Sequence, residues 1–179
     1  ANLKPEKTIM YEVGVKQEIA RLTSIDVTLF YRDTRDWVGI SPTIKKYPVG
    51  NYRKYQNMDY ANTRGFTIML ERRYQNNFGL NIDYSWMLAE GTYSNPTDAY
   101  FDALNDQSPR LAMVPLNWDQ THTLNLRLTV GGEDWITSII GNYWSGKPYT
   151  PEFKTGSVSG SSAFAGFAEN SSRKPNIIS

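Results

Sequence analysis

The sequence predicts an all-β fold, an antiparallel up-and-down meander of six full strands and the opening of a seventh. Three observations predict it. Apolar and polar residues alternate with period two in one segment after another. The connections between those segments alternate between short and long. No apolar run approaches the roughly 18 to 20 residues that a membrane helix needs.

The first run, Thr8 to Glu18, sets Ile9, Tyr11, Val13 and Val15 against Met10, Glu12, Gly14 and Lys16. In the second, Ser24 to Trp37, Ile25, Val27, Leu29 and Tyr31 oppose Asp26, Thr28, Phe30 and Arg32. The third, about Tyr60 to Tyr74, opposes Phe66, Ile68 and Leu70 to Thr67, Met69 and Glu71. Phe78 to Glu90 sets Leu80, Ile82, Tyr84, Trp86 and Leu88 against Asn81, Asp83 and Ser85. Thr121 to Val130 opposes Leu124, Leu126 and Leu128 to Asn125, Arg127 and Thr129. In the sixth run, Trp135 to Tyr149, Ile136, Ile139 and Ile140 do not share one face, and a seventh opens at Asn176, Ile177 and Ile178.

Glu18 to Thr23, Tyr74 to Asn77 and Gly131 to Asp134 read as short hairpins, with Asn, Gly and Asp expected to supply the positive φ of tight turns. Ser41 to Asp59, Gly91 to Gln120 and Thr150 to Pro175 read as long loops without a strand pattern. Every long loop then falls at one end of the meander.

Composition narrows the function. Of the 179 residues, 21% are charged, yet the net charge is only +1, so no electrostatic footprint for nucleic acid is visible. Cysteine is absent, which excludes disulfide scaffolds, thiolate metal sites and Cys nucleophiles. The single His122 offers no cluster for a metal. Asp33 with Asp36 and Glu133 with Asp134 are expected at strand ends or turns, where charges are simply solvated. His122 is expected to make a local hydrogen bond at a loop–strand junction. Gly156-Ser157-Val158-Ser159-Gly160 has Val where a nucleophile elbow needs Ser. We expect no catalytic residue, no metal and no cofactor.

Alternation alone does not say which face looks inward. In a soluble barrel or sandwich the Leu124, Leu126, Leu128 face is core; in a membrane barrel it touches lipid and the opposite face lines a wet lumen. Three features favour lipid. The strands run to about ten residues or more, against five or six in soluble sheets. Loop lengths differ between the two ends. Aromatic residues cluster near the ends of the apolar stripes, with Tyr11, Tyr31, Trp86 and Tyr143 towards the long loops and Phe78 and Trp135 beside the short turns.

Particular residues also carry a family resemblance. Leu3-Lys4-Pro5-Glu6-Lys7-Thr8 followed by Tyr11-Glu12-Val13-Gly14-Val15-Lys16 resembles the barrel of TonB-dependent outer-membrane receptors. So do Asp26-Val27-Thr28-Leu29-Phe30-Tyr31-Arg32-Asp33 and the segment Asn57 to Phe66 leading to Leu70-Glu71-Arg72-Arg73. Val114 to Asn125 and Gly141-Asn142-Tyr143-Trp144-Ser145-Gly146-Lys147-Pro148-Tyr149-Thr150-Pro151 look like the family's later strands. The ordered set, spread from Leu3 to Pro151, carries the resemblance.

It implies a transmembrane barrel of about 22 strands, plugged by an N-terminal globular domain with a segment that engages the energy-transducing TonB protein. Residues 1–179 are then expected to be an incomplete segment of six to seven strands from the C-terminal part of such a barrel, without its plug. Six strands fall short of the roughly eight that close the smallest barrels, and open edges in lipid leave backbone groups unpaired. The expected location is the bacterial outer membrane, long loops extracellular and short turns periplasmic.

Binding is expected in the loops. Tyr47, Tyr52, Arg53, Tyr55 and Asn57 in the first long loop, and Tyr93, Tyr100 and Phe101 in the second, combine aromatic platforms with hydrogen-bonding groups. Asp26, Arg32, Glu71, Asp83 and Arg127 are expected to face the lumen, where they also could hold the plug through ion pairs. Expected partners are outer-membrane lipid, the remainder of the barrel and its plug, TonB through the missing N-terminal part, and envelope or surface proteins, with no nucleic acid. The expected function is binding of a siderophore, vitamin, glycan or peptide for energy-coupled uptake. Two alternatives stand beside it: a non-transporting barrel that scaffolds an envelope assembly, and a soluble all-β ligand-binding module.

Overall fold

The computed structural model describes residues 3–41, 44–46, 48, 50–92, 113–151 and 170–179, which contain strands and no helix. Seven strands form one continuous antiparallel path: β1 (Lys7–Ala20), β2 (Thr23–Ile40), β5 (Tyr55–Gln75), β6 (Phe78–Gly91), β8 (His122–Gly131), β9 (Ile136–Trp144) and β12 (Ile177–Ile178). Each strand pairs with the next one on this path, so the meander is up-and-down and the sheet is not closed. Each of the seven sequence runs contains a strand of this path, but the sixth, read as Trp135 to Tyr149, stops at Trp144. The long segments are less featureless than their composition suggests. A hairpin of β3 (Ile44–Lys46) and β4 (Gly50–Tyr52) fills the first, β7 (Val114–Pro115) pairs with β6, and β10 (Pro148–Tyr149) pairs with β11 (Ser172–Arg173). Tyr55 to Asp59, expected in a loop, belong to β5 because β2 continues past Trp37 and offers them a ladder.

The turns correct a second expectation. Asn76 and Asn77 adopt φ of 54° and 64°, as a two-residue hairpin of the primed type requires. In the first turn the left-handed residue is Leu22, at φ 64°. Leu22 donates its N–H to Glu18 Oε1 at 3.3 Å and accepts the Arg73 N–H at 3.0 Å, so bonding to β5 outweighs its preference. In the Gly131 to Asp134 turn no residue has positive φ; Gly132 instead donates to the Trp135 carbonyl at 2.7 Å.

Because direct partners across an antiparallel pair share a face, the register sorts every side chain. One row runs Val15, Val27, Ile68, Tyr84, Leu124, Tyr143, and the next Val13, Leu29, Phe66, Trp86, His122. This apolar face carries ring stacking between Phe66 and Trp86, with centroids 5.7 Å apart. On β9, Ile139 lies on it, while Ile136 and Ile140 point to the other side. The opposite face runs Lys16, Asp26, Met69, Asp83, Asn125, Asn142.

No core lies between these faces. Among the described residues the buried apolar ones are only Ala61, Ala89, Val114 and Leu116, all at the long-loop end. Val13 and Val15 are 64% and 67% exposed, and Leu29 is 53% exposed. A soluble chain of this length removes roughly 70% of its surface from water around a central core. This sheet leaves its apolar face for something else to cover.

Candidate functional site

Two regions hold the chemistry: the polar face and the long-loop end of the sheet. On the polar face, the register brings together all five residues singled out for it. Asp26 and Asp83 share one row through Met69, and Glu71 and Arg127 share another through Asn81. Arg32 stands higher, between Met10 and Thr63. None of the five forms an ion pair with a described residue. Asp26 accepts from Thr28 Oγ1 at 3.2 Å, and the Arg32 guanidinium rests on Met10 Sδ at 3.8 Å. Near the short turns this face forms a cleft of about 280 Å³ lined by Lys16, Glu18, Ser24, Glu71 and Arg73. Such a surface suits a hydrated or charged partner and costs little while water covers it.

One apolar residue on the polar face has a local reason. Phe30 pairs with Gly65, and a Cβ on Gly65 would meet the Phe30 ring at 2.8 Å and run into the Trp86 carbonyl oxygen. The ring therefore covers backbone that lacks a side chain.

The long-loop end begins at a bulge. Asp36 takes φ 62°, the register shifts between Thr34 and Trp37, and the extra residue turns Trp37 onto the polar face. There it packs against Ala61, Ala89 and Leu116. Residues 113–121 fold back over this end. Leu116 is fully buried, its N–H bonded to the Ala89 carbonyl at 2.9 Å, and Trp118 meets Trp37 edge to face at 6.0 Å. Beside it Asp119 is 1% exposed. A carboxylate so buried needs donors, and it has two: the Ala89 N–H at 2.7 Å and the Arg173 guanidinium. Arg173 also donates to the Gly146 carbonyl at 3.2 Å, and Asn170 Nδ2 donates to the Pro115 carbonyl at 2.6 Å. These bonds tie the base of the second long loop to the base of the third. Sequence reasoning missed Asp119 and Arg173, which lie 54 residues apart; the usable signal was an acidic residue flanked by Trp118 and a strand start.

The loop residues proposed for binding divide. Tyr52 and Tyr55 are exposed, Arg53 is half-buried, and Tyr47, Tyr93, Tyr100 and Phe101 lie outside the described residues. Asn57 is a brace. Its Nδ2 donates to the carbonyls of Lys4 at 2.9 Å and Asp36 at 2.5 Å, and its Oδ1 accepts the Lys4 N–H at 2.7 Å, so its bonds are spent inside the fold. His122 Nδ1 lies 2.9 Å from the Tyr84 hydroxyl on the neighbouring strand. Asn170, part of a glycosylation-like triplet, is 5% exposed. Among the described residues no three His, Cys, Asp or Glu side chains gather around a common point.

The exposed apolar face, the up-and-down register and the unpaired edges describe part of a barrel. Residues 1–173 match the family model for the TonB dependent receptor-like β-barrel. The chain belongs to that family. No curated protein and no solved structure gives a significant match. TonB-dependent receptor barrels are outer-membrane proteins, a family of transporters and receptors and not of enzymes. Barrels of this kind turn an apolar band outward, and the open up-and-down sheet is consistent with a part of one.

Proposed function

We propose that this barrel segment belongs to a transporter that captures a nutrient at its outer loops and admits it when a plug domain inside the barrel is rearranged by TonB. The work comes from the inner-membrane proton gradient, and no bond of the nutrient is broken by these residues. The long loops face outward and the short turns face the periplasm. Asp26, Arg32, Glu71, Asp83 and Arg127 then line the lumen, where their unspent charges meet the plug and water. The observation that carries this reading is a polar face on which Asp26, Arg32, Glu71, Asp83 and Arg127 form no ion pair with a described residue, paired with an uncovered apolar face. A scaffold barrel would share the second property but has no need of the first.

Tyr52 and Tyr55 present exposed rings at the long-loop end, where the exposed Trp118 stands against Trp37. They are the contacts we assign to the nutrient, a siderophore, vitamin, glycan or peptide. Uptake by cells carrying the intact protein, measured with labelled nutrients with and without TonB, tests the proposal. Uptake that depends on TonB and falls in the Tyr52→Ala, Tyr55→Ala double variant is the expected result. A full-length polypeptide that has no plug domain would rule out transport and leave the scaffold.

A further inference from the structure

We infer that the outer face of the sheet, just beyond its apolar band at the long-loop end, binds the phosphate of anionic lipid headgroups through Lys7, Arg35 and Arg64. The inference rests on the reading that the apolar face meets lipid. All three cations stand on that face: Lys7 is directly opposite Arg35, two residues beyond the Ile9–Asp33 pair, and Arg64 is directly opposite Tyr31. Like charges directly opposed across an antiparallel pair repel one another. The carboxylates present relieve this only in part. Asp33 takes Arg35 Nε at 2.7 Å, and Glu90 takes Arg64 Nη2 at 3.2 Å. Lys7 has no ion pair among the described residues, so this patch holds three cations against two carboxylates.

The remaining donors point to the right place. The Arg35 and Arg64 side chains are 66% and 48% exposed, and each keeps guanidinium N–H groups that its carboxylate does not use. The exposed Tyr11 and Tyr31 share the row of Arg64, four residues short of the Lys7–Arg35 pair, and the Tyr31 hydroxyl reaches to 3.4 Å from that of Tyr60 between the two levels. Tyrosines at the rim of an apolar band mark the headgroup layer of a bilayer. A phosphate oxygen suits a guanidinium better than water does, because two N–H groups bind it side by side. The ligand is the headgroup phosphate of the surrounding bilayer and not phosphate from solution, because only a lipid is held at this height by its tails.

The test is tryptophan quenching of the intact protein in vesicles of brominated phosphatidylglycerol or brominated phosphatidylcholine, reported by Trp86 on the same face. We expect phosphatidylglycerol to be preferred by about fivefold, the scale of one unneutralised cation near an anionic surface. The preference should fall close to unity in the Lys7→Gln, Arg64→Gln double variant, which leaves the Asp33–Arg35 pair intact. In the unmutated protein it should shrink as salt rises from about 0.05 to 0.5 M. Equal quenching by both lipids, unchanged by salt or by the variant, overturns the proposal while leaving the lipid-facing reading in place. Quenching by neither lipid overturns both. Loss of the preference on adding inorganic phosphate would assign the site to a soluble anion and overturn the lipid assignment.

Discussion

Leu126 and Asn125 are neighbours in β8 whose side chains leave opposite faces, so the same substitution at each asks which face meets lipid. Leu126 sits between Ile82 and Gly141, and it is the third of five residues that β8 gives to the apolar face, from His122 to Val130. An arginine at that depth costs about 2 to 4 kcal/mol, falling to about 0 to 1 near the interfaces. Asn125 lies between Asp83 and Asn142 on the polar face. Asn125→Arg brings a cation opposite Asp83, so it should cost nothing and could gain a few tenths of a kcal/mol as a cross-strand pair. The difference between Leu126→Arg and Asn125→Arg is therefore about 2 kcal/mol or more. Equilibrium urea unfolding of the intact protein from phospholipid vesicles measures it. A companion Val130→Arg should fall between the two, because Val130 stands next to the short turn. Equal costs at Leu126 and Asn125, or a larger cost at Val130 than at Leu126, would refute the assignment of the apolar face to lipid.

Three further outcomes follow from single residues. Gly65→Ala drives its methyl into the Trp86 carbonyl and the Phe30 ring, and should destabilise the barrel by about 1 to 3 kcal/mol; replacing Phe30 by Leu as well should not rescue it, because the backbone oxygen remains, and thermal unfolding of both variants checks this. Leu22→Gly releases a left-handed leucine at φ 64° and should stabilise by about 1 kcal/mol, read as a higher urea midpoint. Asp119→Ala orphans the Ala89 N–H and the Arg173 guanidinium. It should cost about 2 kcal/mol, less than a fully buried pair because Arg173 reaches water, and hydrogen exchange at the Ala89 amide should accelerate while Asp119→Asn, which keeps an acceptor there, loses less.

The first five long strands were legible because each carries its own pattern. Leu124 to Val130 alternates whether or not the partner strand is known, and the partner then only has to supply hydrogen bonds. The same locality explains what was missed. Leucine itself does not announce a left-handed turn, and the conformation of Leu22 is held by its bonds to Glu18 and to Arg73 of another strand. The β3–β4 hairpin is three residues a side and too short to show a period. Asn57 has the composition of a binding residue, and only its bonds to Lys4 and Asp36 reveal a structural role. The Asp119–Arg173 pair depends on a tertiary approach between two loop bases, which no window of sequence contains.

The lengths of the strands locate function more firmly than any one side chain. On β5 the apolar face is bracketed by Arg72 and Arg64, with Leu70, Ile68 and Phe66 between them. Eight residues at about 3.3 Å each, tilted by about 40°, rise roughly 20 Å, close to the height of the lipid-facing band of an outer-membrane barrel. Beyond Arg72 the strand ends at Gln75, but beyond Arg64 it continues through Tyr60 to Tyr55. β2 runs with it to Ile40, past the bulge at Asp36. Crossing the apolar band does not need that extension. What holds it is the bracing of Asn57 on Lys4, the Trp37 contact with Leu116 and Trp118, and the buried carboxylate of Asp119. Such ordering costs backbone entropy of about 1 to 2 kcal/mol per residue, so a fold that needed only to span would end these strands at the band. In the proposed reading, that projection raises the exposed rings of Tyr52 and Tyr55 clear of the headgroups.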